Sequence, residues 1–424
     1  MIETIRIFVT LVGKTLQNLI NIIKSYTLII VTRFFPTSIR QTDSRHILKD
    51  SVILLRNKTH TDHYQEFHSV EKISPFRTIR EALREKNSGK NRYSDILPYD
   101  ETRVILLSRN NENNQPTGDY INANYCSIVI DPSCIGSNNN TGNADLCSTA
   151  DSASIKTTSS TTMINSTQFG TPNFQIQRKV SKIQENFNPK TSRRKNLHYI
   201  ATQGPKKNTI GDFWSMVLQQ NIKIIIMLTQ LYDGTKEKCA AYWPQSLKES
   251  RSWPSSTGRS DITVELISDQ PFYGTNKSEE KRIIFYIRKI QIIYYDPNDG
   301  GKKKKEIITQ VQYLAWPDHG VPDEQDDFLD LVNYIAKIRD ETDEKYNREL
   351  PVCVHCSAGI GRTGVFISVE TAINQIMQSL PLKPKQVLQQ MRLQRAQMIQ
   401  KPEQYAFSNY ASLKWYERNG HLYT

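Results

Sequence analysis

The decapeptide HCSAGIGRTG, from His355 to Gly364, decides how the rest of the chain is read. Before it stands PVCVH, a short buried-strand pattern; after it, Val365 to Met377 carries apolar residues at helical spacing. The decapeptide therefore lies at a strand-to-helix junction. Gly359 and Gly361 let the backbone bend so that successive N–H groups face one point, and a helix starting near Arg362 aims its positive end there. Ser357, Ala358, Gly359, Ile360, Gly361 and Arg362 then form a cradle for a dianion, with Cys356 at its mouth. The same positive elements lower a thiol pKa, so Cys356 is expected to persist as a thiolate at neutral pH. A thiolate beneath a bound phosphate is placed for in-line attack on phosphorus. Arg362 can bind two phosphate oxygens at once, which a lysine cannot.

Working outward, the pattern is α/β. Asp212 to Gln220 and the amphipathic set Phe328, Leu331, Val332, Ile335 and Ile338 predict helices, the latter behind an acidic start of Asp323, Glu324, Asp326 and Asp327. Tyr64, Phe67 and Val70 predict another over His63 to Ile73. Thr102 to Leu106 and Ile222 to Leu228 read as strands. Arg282 to Tyr295 and Ile307 to Leu314 read as a hairpin whose tip, DPNDGGKKKK, is a basic loop, either merely solvated or able to bind polyanions. No internal repeat is visible.

With 424 residues and 38% hydrophobic content, the chain has material for a full-sized core, and complete disorder is excluded. Residues 133–196 differ: they are rich in Ser, Thr and Asn, lack periodicity, and read as a disordered surface insertion. Their N-x-[ST] matches at Asn139 and Asn165 are expected by chance in such sequence. The net charge of +12 favours anionic partners without choosing among them. Six cysteines are too few for a disulfide scaffold, and the lone C-x-x-C of Cys353 and Cys356 lacks the second half of a zinc site, so no metal is assigned.

Residues 1–44 form an apolar, basic extension. Arg6, Lys14, Lys24 and Arg33 interrupt its apolar run below the length of a spanning helix. Ile5, Val9, Val12, Leu16, Leu19 and Ile23 recur at helical spacing. Residues 1–35 are a helix packed on their own domain, a poorly ordered extension, or an interfacial helix making peripheral membrane contact. Neither terminus carries a common lipidation signal.

C-x5-R with flanking His and Gly resembles the signature of the cysteine-dependent protein tyrosine phosphatases. Further segments agree with that family in order: KNRYSDILPYD (Lys90–Asp100), DYINANY (Asp119–Tyr125), YIATQGP (Tyr199–Pro205), DFWSMV (Asp212–Val217), KCAAYWP (Lys238–Pro244), WPDHGVP (Trp316–Pro322) and QRAQMIQKPEQY (Gln394–Tyr405). C-x5-R alone is a weak signal; the ordered set is a strong one. The resemblance covers about Arg45 to Tyr416, less the insertion. It implies a phosphotyrosine-specific, non-receptor-like enzyme: a single cysteine-phosphatase domain over residues 45–418, with a central twisted mixed β-sheet flanked by helices, cytoplasmic, acting in signalling, and needing no cofactor.

The resemblance also implies roles. Cys356 is the nucleophile and forms a phosphocysteine. Asp318 is the general acid, then the base. Gln400, with Gln404, orients the hydrolytic water. Thr363 donates to the thiolate, and His355 shapes the cradle and lowers the thiol pKa. Tyr93 flanks the substrate ring in a deep slot that phosphoserine is too short to use, Asp95 accepts from the substrate backbone, and Lys238 touches the general-acid loop. Two departures stand out. Asp233 replaces the usual Glu that braces Arg362, so the brace is looser or Glu237 takes over. Gln397 stands where some members have Gly beside the pocket mouth, and its side chain can narrow access. Cys353 reads as a buried strand residue, with a resolving thiol as the alternative.

Competing readings are a dual-specificity or phosphoinositide phosphatase, opposed by the KNRY segment; a phosphotyrosine-binding module without turnover, opposed by the intact Cys, Arg and acid; and a nucleic-acid binder, for which no module is present. The expected partners are phosphotyrosine-containing proteins, and no nucleic acid.

Overall fold

The computed structural model describes residues 37–107, 118–131, 194–257, 262–275, 281–296, 301–317, 320–322 and 325–423. The expectations for residues 1–35, for residues 133–193 of the insertion, and for Asp318, Asp323 and Glu324 lie outside the described residues.

In chain order the elements are α1 (Thr37–Arg56), α2 (His60–His68), α3 (Arg80–Leu83), α4 (Glu85–Ser88), β1 (Arg103–Ile105), β2 (Tyr120–Val129), β3 (Asn196–Thr202), α5 (Ile210–Gln219), β4 (Ile224–Met227), β5 (Tyr232–Asp233), β6 (Lys236–Glu237), β7 (Ser250–Ser252), β8 (Thr263–Thr275), β9 (Lys281–Asp296), β10 (Lys302–Tyr313), α6 (Gln325–Tyr346), β11 (Val352–His355), α7 (Gly361–Met377), α8 (Pro384–Gln394) and α9 (Pro402–Asn419). The main sheet runs β1-β2-β3-β11-β4-β10-β9-β8-β7, and β5 pairs with β6 apart from it. β3, β11, β4 and β10 are parallel; the flanking pairs are antiparallel. The sheet is thus mixed, as expected.

The strand PVCVH is central because it is apolar on both faces. Val352 and Val354 enter one core with α6, α7 and α9, while Cys353 enters the other with Phe213, Trp214, Met216 and Val217 of α5. The predicted set on α6 is buried as its spacing required, and Asp326 at its start pairs with Lys414 (2.6 Å) and Arg418 (2.7 Å) of α9.

Several boundaries move. The insertion ends at 193 or before, not at 196: Arg194 pairs with Asp340 (2.6 Å) and Asp343, and Asn196 opens β3 opposite Val129. The Ile130 N–H donates to the Lys195 carbonyl (3.0 Å), so the two ends of the insertion meet. A boundary at residue 44 falls inside α1, which buries Leu48, Val52 and Leu55 in the core. Lys302–Lys305 are not loop but β10, in register with Asp296–Ile293. α2 ends at His68, where Ser69 caps it, instead of running to Ile73. The long strand β8 had no clean alternation to announce it; Asp269, Pro271 and Gly274 interrupt it, and pairing with β9 carries it through two irregularities.

Candidate active site

β11 delivers Cys356 to the carboxyl ends of the parallel strands, where open α/β sheets bind ligands. Gly359 takes φ +73°, and a β-carbon there would collide with the Thr202 carbonyl of the neighbouring strand end, so only glycine closes the loop. Gly361 has a different reason. It already starts α7, and its bare α-carbon leaves room for the Gln404 carboxamide. Helix α7 thus begins one residue before Arg362.

The Gly359 N–H donates to Cys356 Sγ at 3.2 Å. Burial pushes the thiol up, but the Thr363 hydroxyl dipole, the Arg362 guanidinium and the N–H groups of Thr363 and Gly359 outweigh it and hold the pKa below the ordinary thiol value. Thr363 Oγ1 is buried and meets no partner at normal hydrogen-bond geometry; the sulfur is the group its dipole reaches. Cys353 differs: fully buried in an apolar layer, its thiol is pushed well up. It is a strand residue facing the opposite core.

His355 is fully buried at the end of β11. Its Nδ1 contacts the Cys356 carbonyl (3.1 Å), so that nitrogen carries the proton, and Nε2 accepts from the Tyr242 hydroxyl (2.9 Å), which accepts from Gln310 Nε2 (2.6 Å). Burial pulls its pKa down to about 4. At neutral pH the ring is uncharged, so it supplies no cation to the thiol.

Arg362 donates to the Leu228 carbonyl (3.2 Å) and the Pro317 carbonyl (3.1 Å), and its guanidinium lies 5.6 Å from the Trp316 ring centre. Arg362 therefore touches the segment that carries Asp318. The cleft, about 290 Å³, is lined by Cys356, Ser357, Ala358, Gly361 and Arg362 together with Tyr93, Asp95, Gln400 and Gln404. Tyr93 donates to Ser357 Oγ (2.9 Å), which donates to the Lys238 carbonyl (2.9 Å). Gln404 Oε1 accepts from the Gln400 N–H at 3.0 Å. Ile360 is buried beneath the cradle.

Lys238 Nζ pairs with Asp233 at 2.8 Å, and both line the cleft beside Arg362. Glu237 pairs with Arg92 (3.5 Å) and Lys207 (4.0 Å), so it is not the substitute brace for Arg362. Gln397 does not line the cleft. It adopts φ +60°, and its side chain donates to the Asp95 carbonyl (3.0 Å), tying down the loop that holds Tyr93.

A model of the family described as protein-tyrosine phosphatase matches residues 87–414, most of the chain. The chain belongs to the protein-tyrosine phosphatase family. Mouse tyrosine-protein phosphatase non-receptor type 4 is 34% identical over 381 residues, 90% of this chain and 31% of that protein. Rat tyrosine-protein phosphatase non-receptor type 20 is 31% identical over 86% of this chain and 63% of its own length. Tyrosine-protein phosphatase 1 of Caenorhabditis elegans is 31% identical over 88% of this chain and 26% of its own. The chain thus spans about a third of the first of these relatives. Among the described residues no helix is long and apolar enough to cross a membrane.

A further buried side chain of the phosphatase domain, outside the roles that the motifs imply, supports the same loop. Arg395 is fully buried behind the cradle, donating to the carbonyls of Gly359 (2.9 Å) and Ala358 (3.1 Å) and to Oδ1 of Asn124 (2.7 Å) and Asn122 (2.8 Å). Burial pulls its guanidinium down to about 10. The available signal was Asn122 and Asn124 two apart in a strand, which puts two amides on one buried face in need of a donor.

Proposed function

We propose that this chain hydrolyses phosphotyrosine in proteins through a phosphocysteine intermediate. The observation that carries the proposal is the Cys356 thiol, buried yet held below its ordinary pKa at the floor of a cleft that also presents Arg362. Arg362 and the N–H groups of residues 357–362 hold the phosphoryl group. The Cys356 thiolate attacks phosphorus, the tyrosine oxygen leaves with a proton from Asp318, and the cysteine now bears the phosphoryl group. Asp318 then takes a proton from a water placed by Gln400 and Gln404, whose oxygen attacks phosphorus; phosphate departs and Thr363 stabilises the returning thiolate. Tyr93 walls the slot and Asp95 receives the substrate backbone. Positioning and charge come from these side chains, so turnover is expected to continue with EDTA present.

The domain is proposed to run from residue 45 to 418, with substrates among phosphotyrosine-containing proteins of signalling pathways in the cytoplasm. The test is a phosphotyrosine-peptide assay of the wild type and Cys356→Ser, paired with capture of phosphotyrosine proteins from cells of the source organism by Asp318→Ala. Turnover lost in the serine variant with binding retained supports the reading; equal turnover in both overturns it.

A further inference from the structure

The lysine run that read as a loop is the start of β10, and its alternation sorts it. In the β9–β10 register Tyr295 faces Lys303, Ile293 faces Lys305 and Gln291 faces Ile307, so these side chains share one face of the sheet. Further along that face Phe285, Ile287 and Val311 belong to the core under α6. The outer part is left open: Tyr295 is 49% exposed and Ile307 44%, with Lys303 and Lys305 exposed beside them. Ile267, at the irregularity of neighbouring β8, is 41% exposed. Neither Lys303 nor Lys305 forms an ion pair with the described residues; Glu306 is paired with Lys223 (2.6 Å), while Glu265, opposite Gln291 on this face, accepts a hydrogen bond from its neutral amide (2.9 Å).

We infer that this outer face of β8, β9 and β10 docks on an anionic lipid bilayer. Aliphatic side chains and a tyrosine on a broad, open strand surface, with lysines among them, have the composition of an interfacial anchor: the apolar groups enter the headgroup boundary and the ammonium groups meet lipid phosphates and carboxylates. A nucleic acid would use the lysines but gains little from exposed isoleucines. The polarity of the sheet adds a consequence. β10 runs parallel to β4 and β11, whose far ends hold the cleft, so Lys303 lies about 30 Å from the acid-loop end of β10. Docking by this face therefore leaves the cleft about that far from the contact, clear of the docked surface.

The experiment is sedimentation of the full chain with phosphatidylcholine vesicles and with vesicles that also carry phosphatidylserine. The expected result is salt-sensitive binding to the latter alone. Binding should weaken at least about tenfold in Lys303→Glu/Lys305→Glu, taking about 1 kcal/mol per lysine near the surface. It should also weaken in Tyr295→Ser/Ile307→Ser at unchanged net charge. Melting temperature checks the fold of each; if the second variant does not fold, the charge variant, altered only at exposed positions, decides. Undiminished vesicle binding by the charge variant places the contact elsewhere, residues 1–35 included, and overturns the inference. So does loss of binding to single-stranded RNA in the variants when the wild type never binds vesicles.

Discussion

The Tyr242 hydroxyl donates to Nε2 of His355 across 2.9 Å, and that bond fixes which His355 nitrogen can serve the cradle. With Nε2 accepting, Nδ1 must carry the hydrogen that reaches the Cys356 carbonyl. Protonating the ring would set an N–H against the Tyr242 O–H inside an apolar layer. The folded protein therefore resists a proton that the unfolded chain accepts at the usual histidine pKa. Since the folded value lies near 4, stability is complete above about pH 6.5 and falls as the pH drops toward 4, by up to about 3 kcal/mol. Urea midpoints from pH 7 to pH 4 should show this slope, and His355→Gln should flatten it at a lower baseline. An unchanged slope in the variant would assign the acid sensitivity to other groups.

Arg395 is a second buried device. Removing it leaves four acceptors, the carbonyls of Ala358 and Gly359 and the two asparagine oxygens, without their donor. Each costs about 1–3 kcal/mol when buried and unpaired, so Arg395→Ala should lose at least about 3 kcal/mol in urea unfolding. Arg395→Lys keeps the charge but cannot span the fork, and should recover only part of that loss. A loss below about 1 kcal/mol in Arg395→Ala would show that water replaces the guanidinium.

The low thiol pKa of Cys356 can be read directly by its rate of alkylation against pH. Burial alone would raise the midpoint; the Thr363 hydroxyl and Arg362 lower it. Thr363→Val deletes the dipole at nearly constant volume and should move the midpoint upward. Arg362→Met should do the same by removing the charge. If neither variant moves it, the N–H groups and the helix end account for the shift.

Cys356 and Arg395 stand at opposite ends of what a sequence displays. Cys356 and Arg362 lie within one short loop, where spacing alone brings thiolate and guanidinium together, and Tyr93 announces itself by its segment. Arg395 meets Asn122 and Asn124 across some 270 residues of chain, and nothing local to QRAQ says that its side chain turns inward. The neutrality of His355 depends on burial among Phe213 and Tyr242, contributed by α5 and the KCAAYWP segment. The Lys302–Lys305 run looked like a loop because lysine has little strand preference, yet the ladder with Asp296–Ile293 overrides it. Gln397 looked like an obstruction because its size was visible and its bond to the Asp95 carbonyl was not.

Arg362 donates to the Pro317 carbonyl at 3.1 Å and lies 5.6 Å from the Trp316 ring centre. The Arg362 guanidinium thus contacts the residue before Asp318, so on the proposed mechanism an anion held by Arg362 is expected to bear on where the acid stands. The chemistry needs a proton donor at the departing tyrosine oxygen, and Asp318 is the carboxylic acid of that segment. Asp318→Ala should lower kcat on phosphotyrosine peptide by orders of magnitude with little change in substrate affinity, because the proton is required only as the bond breaks. It should remove the alkaline limb of the pH profile, since that limb reports loss of the acidic proton. With an ester whose leaving group has a low pKa the deficit should shrink, because that oxygen departs with little help. Trp316→Ala, which loosens the loop but keeps the carboxyl group, should lower kcat for both esters more evenly. An equal deficit for good and poor leaving groups in Asp318→Ala would remove Asp318 from the proton path and leave it as a brace for the loop.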